Sequence, residues 1–202
     1  MRFKKALSVV GLMAAAALVL TGCNSSTPGD NGDSGSAAMW EVAKDVKLEG
    51  SPTFDKIKTR GKVVVGVKDD QPGLGYFDNV TQKRSGFDVD IARWMAASLG
   101  FDEDKIEYKA IASANREQAI MNGDIDYYVG TYSITDKRKT QIDFAGPYFI
   151  TGQGLLIRKG DTDFQKLEEL NGKTVCSATG STPINNIKTN FPGIKPMEFD
   201  KY

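Results

Sequence analysis

The 202-residue sequence contains no histidine, which removes the commonest general base at neutral pH and the commonest zinc ligand. Cysteine is confined to Cys23 and Cys176, and no cluster has metal-ligand spacing. No motif sets a nucleophile beside a base. Charge of one sign does not dominate: 26 basic residues face 26 acidic ones, and no basic patch is interleaved with aromatics. Nucleic acid is therefore not an expected partner. Long hydrophobic runs are also missing. The longest, from Ala6 to Leu20, is too short for a spanning helix.

What is present at the amino terminus reads as targeting. Arg2, Lys4 and Lys5 precede the Ala6 to Leu20 run, the pattern of a signal segment over residues 1–22. Without those three residues, 23 positive charges face 26 negative ones, a net of −3. Leu20-Thr21-Gly22-Cys23 resembles a bacterial lipobox, in which the cysteine thiol carries a diacylglycerol and becomes the first residue after cleavage. Two or three acyl chains hold firmly, at about 0.8 kcal/mol per buried methylene. The chain is expected to be exported and anchored by lipid to the outer face of the bacterial cell membrane. Residues 23–52 are expected to be a linker, with Ser, Gly, Asn, Asp and Pro dominating Asn24 to Ala38.

From Phe54 onward, strand and helix patterns alternate, which favours an α/β fold with an open, mostly parallel sheet. Lys62 to Val67 is β-branched and nearly continuous, as a strand covered on both faces requires. Phe87, Ile91, Trp94, Met95 and Leu99 recur at helical spacing before Gly100, and Trp94 is expected in the core. Lys105 to Ala110 reads as a second strand, Ser113 as the cap of a helix through Met121, and Ile125 to Val129 as a third strand.

Ligands of open sheets sit outside the carboxyl ends of the strands. The three segments that leave those ends carry Lys68, Asp70, Gln71, Arg116, Thr131, Ser133 and Arg138, together one polar crevice. Thr135 reads as a helix N-cap with Arg138 one turn in. Hydroxyls, free amides and one arginine suit a zwitterionic amino acid, because a guanidinium takes a carboxylate in a two-pronged pair. Lys137-Arg138-Lys139 also fits an ordinary solvated helix face. A ligand with two carboxylates needs a second cation. Arg116 is the first choice, since a basic residue at a helix amino end opposes the dipole, and Lys68 is the second.

Thr131-Tyr132-Ser133-Ile134-Thr135-Asp136-Lys137-Arg138, followed by Ile142-Asp143-Phe144-Ala145-Gly146-Pro147-Tyr148, resembles the signature of polar-amino-acid-binding proteins of ABC importers. Asp70-Gln71-Pro72-Gly73-Leu74-Gly75 and Gly180-Ser181-Thr182-Pro183 make the sequence similar to glutamate-binding lipoproteins of that family. The resemblance implies a two-lobe periplasmic-binding-protein-like fold, a free amino acid (glutamate first) as ligand, an ABC permease as partner and no cofactor. Residues 53–150 would form lobe 1. Residues 151–202 would hold a crossing strand, within Phe144 to Lys159, and part of lobe 2.

In that second part Asp163 to Leu170 reads as a short helix, Lys173 to Ser177 as a strand, and Ile194 to Phe199 as the next. Gly180-Ser181-Thr182 opens a helix whose amino end can take an anion. By resemblance Ser181 and Thr182 meet the ligand's α-carboxylate opposite Arg138. Lobe 2 looks truncated beside the family, whose later residues would supply an acid for the ligand's ammonium and, by resemblance, a partner for Cys176 beyond Tyr202. Such a chain is expected not to bind on its own. Two other readings stay open: a dehydratase or lyase on the same fold, using Asp70 or Glu117 as acid or base, and a surface adhesin. Aspartate and glutamine remain alternative ligands.

Overall fold

A computed structural model describes residues 40–160 and 166–202. The expected signal segment, Cys23 and the Asn24 to Ala38 tether lie outside the described residues, as do residues 161–165. Among the described residues no helix is long and apolar enough to cross a membrane.

Helix α1, Pro52–Arg60, starts where Ser51 accepts a hydrogen bond from Phe54 N at 3.3 Å. It ends where Gly61, in the left-handed region, donates to Ile57 O at 2.9 Å. Phe54 and Ile57 are its buried side. The chain then enters β1, Val63–Val67, every residue of which is buried. A Cβ at Gly66 would lie 2.5 Å from Ile125 Cδ1 and 2.8 Å from Tyr128 Cδ2, so any larger residue there would force those side chains to move.

An antiparallel ribbon follows: β2, Asp70–Gln71; β3, Gly75–Asp78; β4, Lys83–Ser85. Helix α2, Phe87–Ser98, carries the chain across to β5, Ile106–Ala110. A 3₁₀ turn, Ser113–Asn115, and helix α3, Arg116–Met121, return it to β6, Tyr127–Tyr128. The sheet order is β5-β1-β6, with both pairs parallel. Alternation along β1 sends Val63, Val65 and Val67 to one face with Ala92 and Ala96, and Val64 to the other with Ala119 and Ile125.

Helix α4, Asp136–Lys139, and irregular chain lead to a second sheet. There β7, Thr174–Ala178, and β8, Lys195–Phe199, pair in parallel, joined by α5, Thr182–Asn190. Leu170, Ile187 and Ile194 form its small core. The architecture is α/β with mostly parallel sheets, as the alternating pattern predicts.

Several expectations need correction. Trp94 is 48% exposed: α2 turns its small residues Ala92, Ala96 and Ala97 to the sheet, which lets the helix approach closely and leaves Phe87 and Trp94 outside. Ser113 does not cap a helix, because a tight turn (Asn115 N to Ala112 O, 3.0 Å) comes first and α3 begins at Arg116. The ladder of β6 is shorter than Ile125 to Val129, although the N–H groups of Asp126 and Val129 also donate into β1. Phe144 to Lys159 contains no strand. Its Phe149, Ile150 and Leu156 are exposed, and no ladder partner flanks it among the described residues. In the range expected to hold a helix ending at Leu170, the described part is a 3₁₀ turn, Leu167–Leu170. Part of the expected linker is ordered against the fold: Ala43 N donates to Ala97 O at 2.9 Å.

Candidate functional site

The carboxyl ends of β1, β5 and β6 open onto one side, and three segments leave there: the ribbon from Lys68, the turn before Arg116, and Gly130 onward. A cleft of ≈ 960 Å³ adjoins them, bordered by Asp88, Thr131, Tyr132, Ser133, Tyr148 and Thr182.

Arg138 is the most connected group of this wall. Thr135 accepts from its backbone N–H at 3.3 Å and so starts α4. Only 7% of Arg138 is exposed. Its Nε donates to Glu117 Oε1 at 2.9 Å, and its Nη1 to Ser133 O at 2.9 Å. The same Nη1 donates to Thr182 Oγ1 at 3.0 Å, and Nη2 donates to Gly180 O at 3.2 Å. One guanidinium thus ties β6, α3 and the start of α5 together. Gly180 permits the approach, for a Cβ there would stand 2.6 Å from Ala114 Cα. Burial alone would raise the Glu117 carboxyl; the neighbouring Tyr132 hydroxyl and Arg138 outweigh it and hold the carboxyl below the usual glutamate range.

The other expected residues fall into distinct positions. Thr131 Oγ1 donates to Gln71 Oε1 at 2.9 Å, which joins the β6 exit to the ribbon. Lys68 is 2% exposed, and its Nζ lies 3.3 Å from Asp70 Oδ1, an ion pair outside hydrogen-bond alignment. Asp70 Oδ2 accepts from Tyr202 N at 2.9 Å. Ser133 meets Arg138 through its carbonyl, and its side chain stays exposed. Ser181 is buried and spends its hydroxyl as the α5 cap, accepting from Ile184 N at 3.4 Å with Ser177 Oγ 3.2 Å away. Its neighbour Thr182 faces Arg138.

Arg116 is 1% exposed, and its Nε and Nη1 donate to Ser113 O (3.0 Å) and Thr131 O (3.2 Å). It supports the floor of the cleft, and no carboxylate pairs with it among the described residues. Cys176 is a free, exposed thiol. Among the described residues no group of three or more His, Cys, Asp or Glu side chains could hold a metal ion.

Two residues of this wall are invisible to spacing arguments. Tyr132 places its ring centroid 4.1 Å from Arg116 Cζ and 4.5 Å from Arg138 Cζ. Asp88, 2% exposed, lies 2.7 Å from the Tyr148 hydroxyl, which also sits 2.9 Å from Gly130 O. The phenol has one hydrogen for two acceptors, so both contacts are satisfied when Asp88 carries a proton. Burial does raise the Asp88 carboxyl, against the opposing pull of the Tyr148 hydrogen bond. The identity of these two residues as apolar-looking or helix-opening positions carries no sign of their partners, which lie far away in sequence.

Comparison with known proteins places these features. Residues 63–194 match the family of bacterial extracellular solute-binding proteins, family 3. The sequence is 38% identical over 197 residues to the glutamine-binding protein of Geobacillus stearothermophilus, covering 97% of this chain and 72% of that protein. It is 37% identical over 205 residues to the glutamate-binding protein of Corynebacterium glutamicum, covering 99% of this chain and 62% of that one. The cysteine-binding protein of Campylobacter jejuni superposes with a TM-score of 0.70 at 30% identity, over 74% of this chain and 59% of its own. The fold is that of the periplasmic amino-acid-binding proteins.

Proposed function

Because the chain belongs to the bacterial extracellular solute-binding proteins of family 3, we propose that it captures a free polar amino acid, glutamate first, outside the cytoplasm and delivers it to an ABC permease. The observation that carries this reading is Arg138, a nearly buried guanidinium that reaches from the first sheet to the start of α5 at the edge of a large cleft. A carboxylate entering there exchanges the neutral acceptors of Arg138 for a charged one, and charge-assisted pairs are roughly twice as strong as neutral ones. Thr131, Ser133 and Gln71 would hold the ammonium and side chain, with Thr182 closing on the α-carboxylate from the α5 amino end that Ser181 caps.

The two lobes of this reading are residues 53–150 and the part that begins within 151–202. Contacts from both exist only when they are closed, so ligand shifts the population toward the closed form. Glutamate is ranked ahead of glutamine because Arg116, set behind Thr131 and Tyr132 of the cleft wall, has no carboxylate partner among the described residues. Lys68, by contrast, is paired with Asp70. Glutamine and aspartate are the runners-up. A same-fold enzyme is disfavoured, since Glu117 is engaged by Arg138 and Asp70 by Lys68, which leaves neither free as an acid or base. Export by the segment 1–22 and a lipid on Cys23 would place the binder at the outer face of the membrane.

A thermal-shift screen of the twenty amino acids against the full-length protein tests the proposal. Ligand at a hundredfold excess over Kd stabilises by about 2.7 kcal/mol, a shift of several degrees. Glutamate should give the largest shift. A flat profile across all twenty would overturn the reading.

A further inference from the structure

We propose that Tyr132 is a positioning residue for amino-acid binding, its ring being the platform that fixes the plane in which the Arg138 guanidinium meets a carboxylate. The inference rests on the reading of Arg138 given above. It goes further by assigning a role to a side chain that the polar-crevice argument passes over.

The geometry is unusual for a tyrosine that merely fills space. Two guanidiniums share its ring, Arg116 with Cζ at 4.1 Å and Arg138 with Cζ at 4.5 Å. A ring face attracts a cation electrostatically, most strongly where water is excluded, and both arginines are almost wholly buried. The ring itself is held at its borders, by Tyr128 at 5.5 Å and 78° and by Phe144 at 5.3 Å and 50°. Arg116 in turn is anchored by the carbonyls of Ser113 and Thr131. Position therefore passes from the β6 exit, through Arg116 and the Tyr132 ring, to Arg138.

Charge supports the same assignment. Arg116, Arg138 and Glu117 together carry one net positive charge beside the cleft, and the aromatic face lowers the cost of keeping two cations close. Tyr132 also borders the cleft directly. A hydrophobic core position would surround the ring with aliphatic groups instead.

The test compares binding of glutamate and of its α-carboxamide by calorimetry on the full-length protein and on Tyr132→Phe, Tyr132→Leu and Arg138→Met. A platform role predicts that Tyr132→Leu weakens glutamate about tenfold and the carboxamide by less than about twofold, while Tyr132→Phe stays within about threefold for both. Equal weakening of both ligands by Tyr132→Leu would mean a general structural role and would overturn the proposal, as would unchanged glutamate binding. Arg138→Met separates the two layers. If it abolishes the preference for glutamate over the carboxamide while Tyr132→Leu preserves it, Tyr132 alone is misassigned. If Arg138→Met keeps that preference, or the unaltered protein binds no glutamate, the reading of Arg138 fails first and the platform with it.

Discussion

Arg138 Nη1 lies 3.0 Å from Thr182 Oγ1, a hydrogen bond between residues 44 positions apart. It joins the exit of the first sheet's last strand to the opening residue of the helix that serves the second sheet. Thr182→Val keeps the shape and removes the acceptor. Glutamate affinity is expected to fall about ten- to a hundredfold, the size of one hydrogen bond to a charged group. Equilibrium titration followed by intrinsic fluorescence checks it; an unchanged affinity would remove Thr182 from the site.

Glu117 gives a pH-dependent test. Its folded carboxyl lies below the usual glutamate range, so the stability it contributes is present above the unfolded value, about 4.3, and is lost as pH falls through the lowered folded value. Glu117→Gln should cost about 1 to 2 kcal/mol at pH 7. The difference from the unaltered protein should shrink toward zero on acidification below pH 4. Denaturant titrations of both proteins from pH 3 to 7 measure it. A difference that stays constant with pH would show that Glu117 acts by packing alone.

The opposite sign applies to Asp88. Its folded value is raised, so the stability tied to its proton is fully present below the ordinary aspartate range, about 3.9, and is lost as pH rises through the raised folded value. An amide in its place cannot ionise yet still donates to Tyr148. Asp88→Asn should therefore gain stability relative to the unaltered protein as pH rises from 4 to 8. Asp88→Ala, which strips the contact, should cost about 1 to 3 kcal/mol at pH 4. Parallel pH profiles for the unaltered protein and Asp88→Asn would contradict a protonated Asp88.

How much of this could be read in the sequence depended on range. Val63–Val67, the Thr135 cap before Arg138 and the start of α5 at Gly180-Ser181-Thr182 rest on neighbouring residues, and each was legible, whereas Ser181 was assigned to the ligand and proves to be the cap. The ribbon over Asp70–Ser85 was not: its strands are short, and Pro72, Gly73 and Asn79 give it the look of a loop. Helix α1 was overlooked although Ser51, Pro52 and Gly61 mark both its ends. The α2 face was misjudged because large apolar residues were counted and the alanines that touch the sheet were not. At the site, residue types alone left the segment holding Arg138, Thr131 and Ser133 open between a ligand site and a solvated helix face, and the family resemblance decided for the former. The pairing of Arg138 with Glu117, the stacking of Tyr132 and the Asp88–Tyr148 contact arise between elements, and no local pattern announces them.

The membrane anchor is tested at Cys23, which follows Leu20-Thr21-Gly22. Cys23→Ala should move the protein from the membrane pellet to the soluble fraction on cell fractionation. Retention in the pellet would argue against lipidation there.

The most direct test is calorimetric titration of glutamate into the full-length protein and into Arg138→Ala, with thermal melting of both. Loss of a buried guanidinium–carboxylate pair should lower affinity at least about hundredfold. The melting temperature without ligand should fall by several degrees, because Glu117 loses its cation, while the carbonyl and hydroxyl acceptors left behind can turn to water, and the fold should remain cooperative. Near-normal glutamate affinity in Arg138→Ala would contradict the site proposed here.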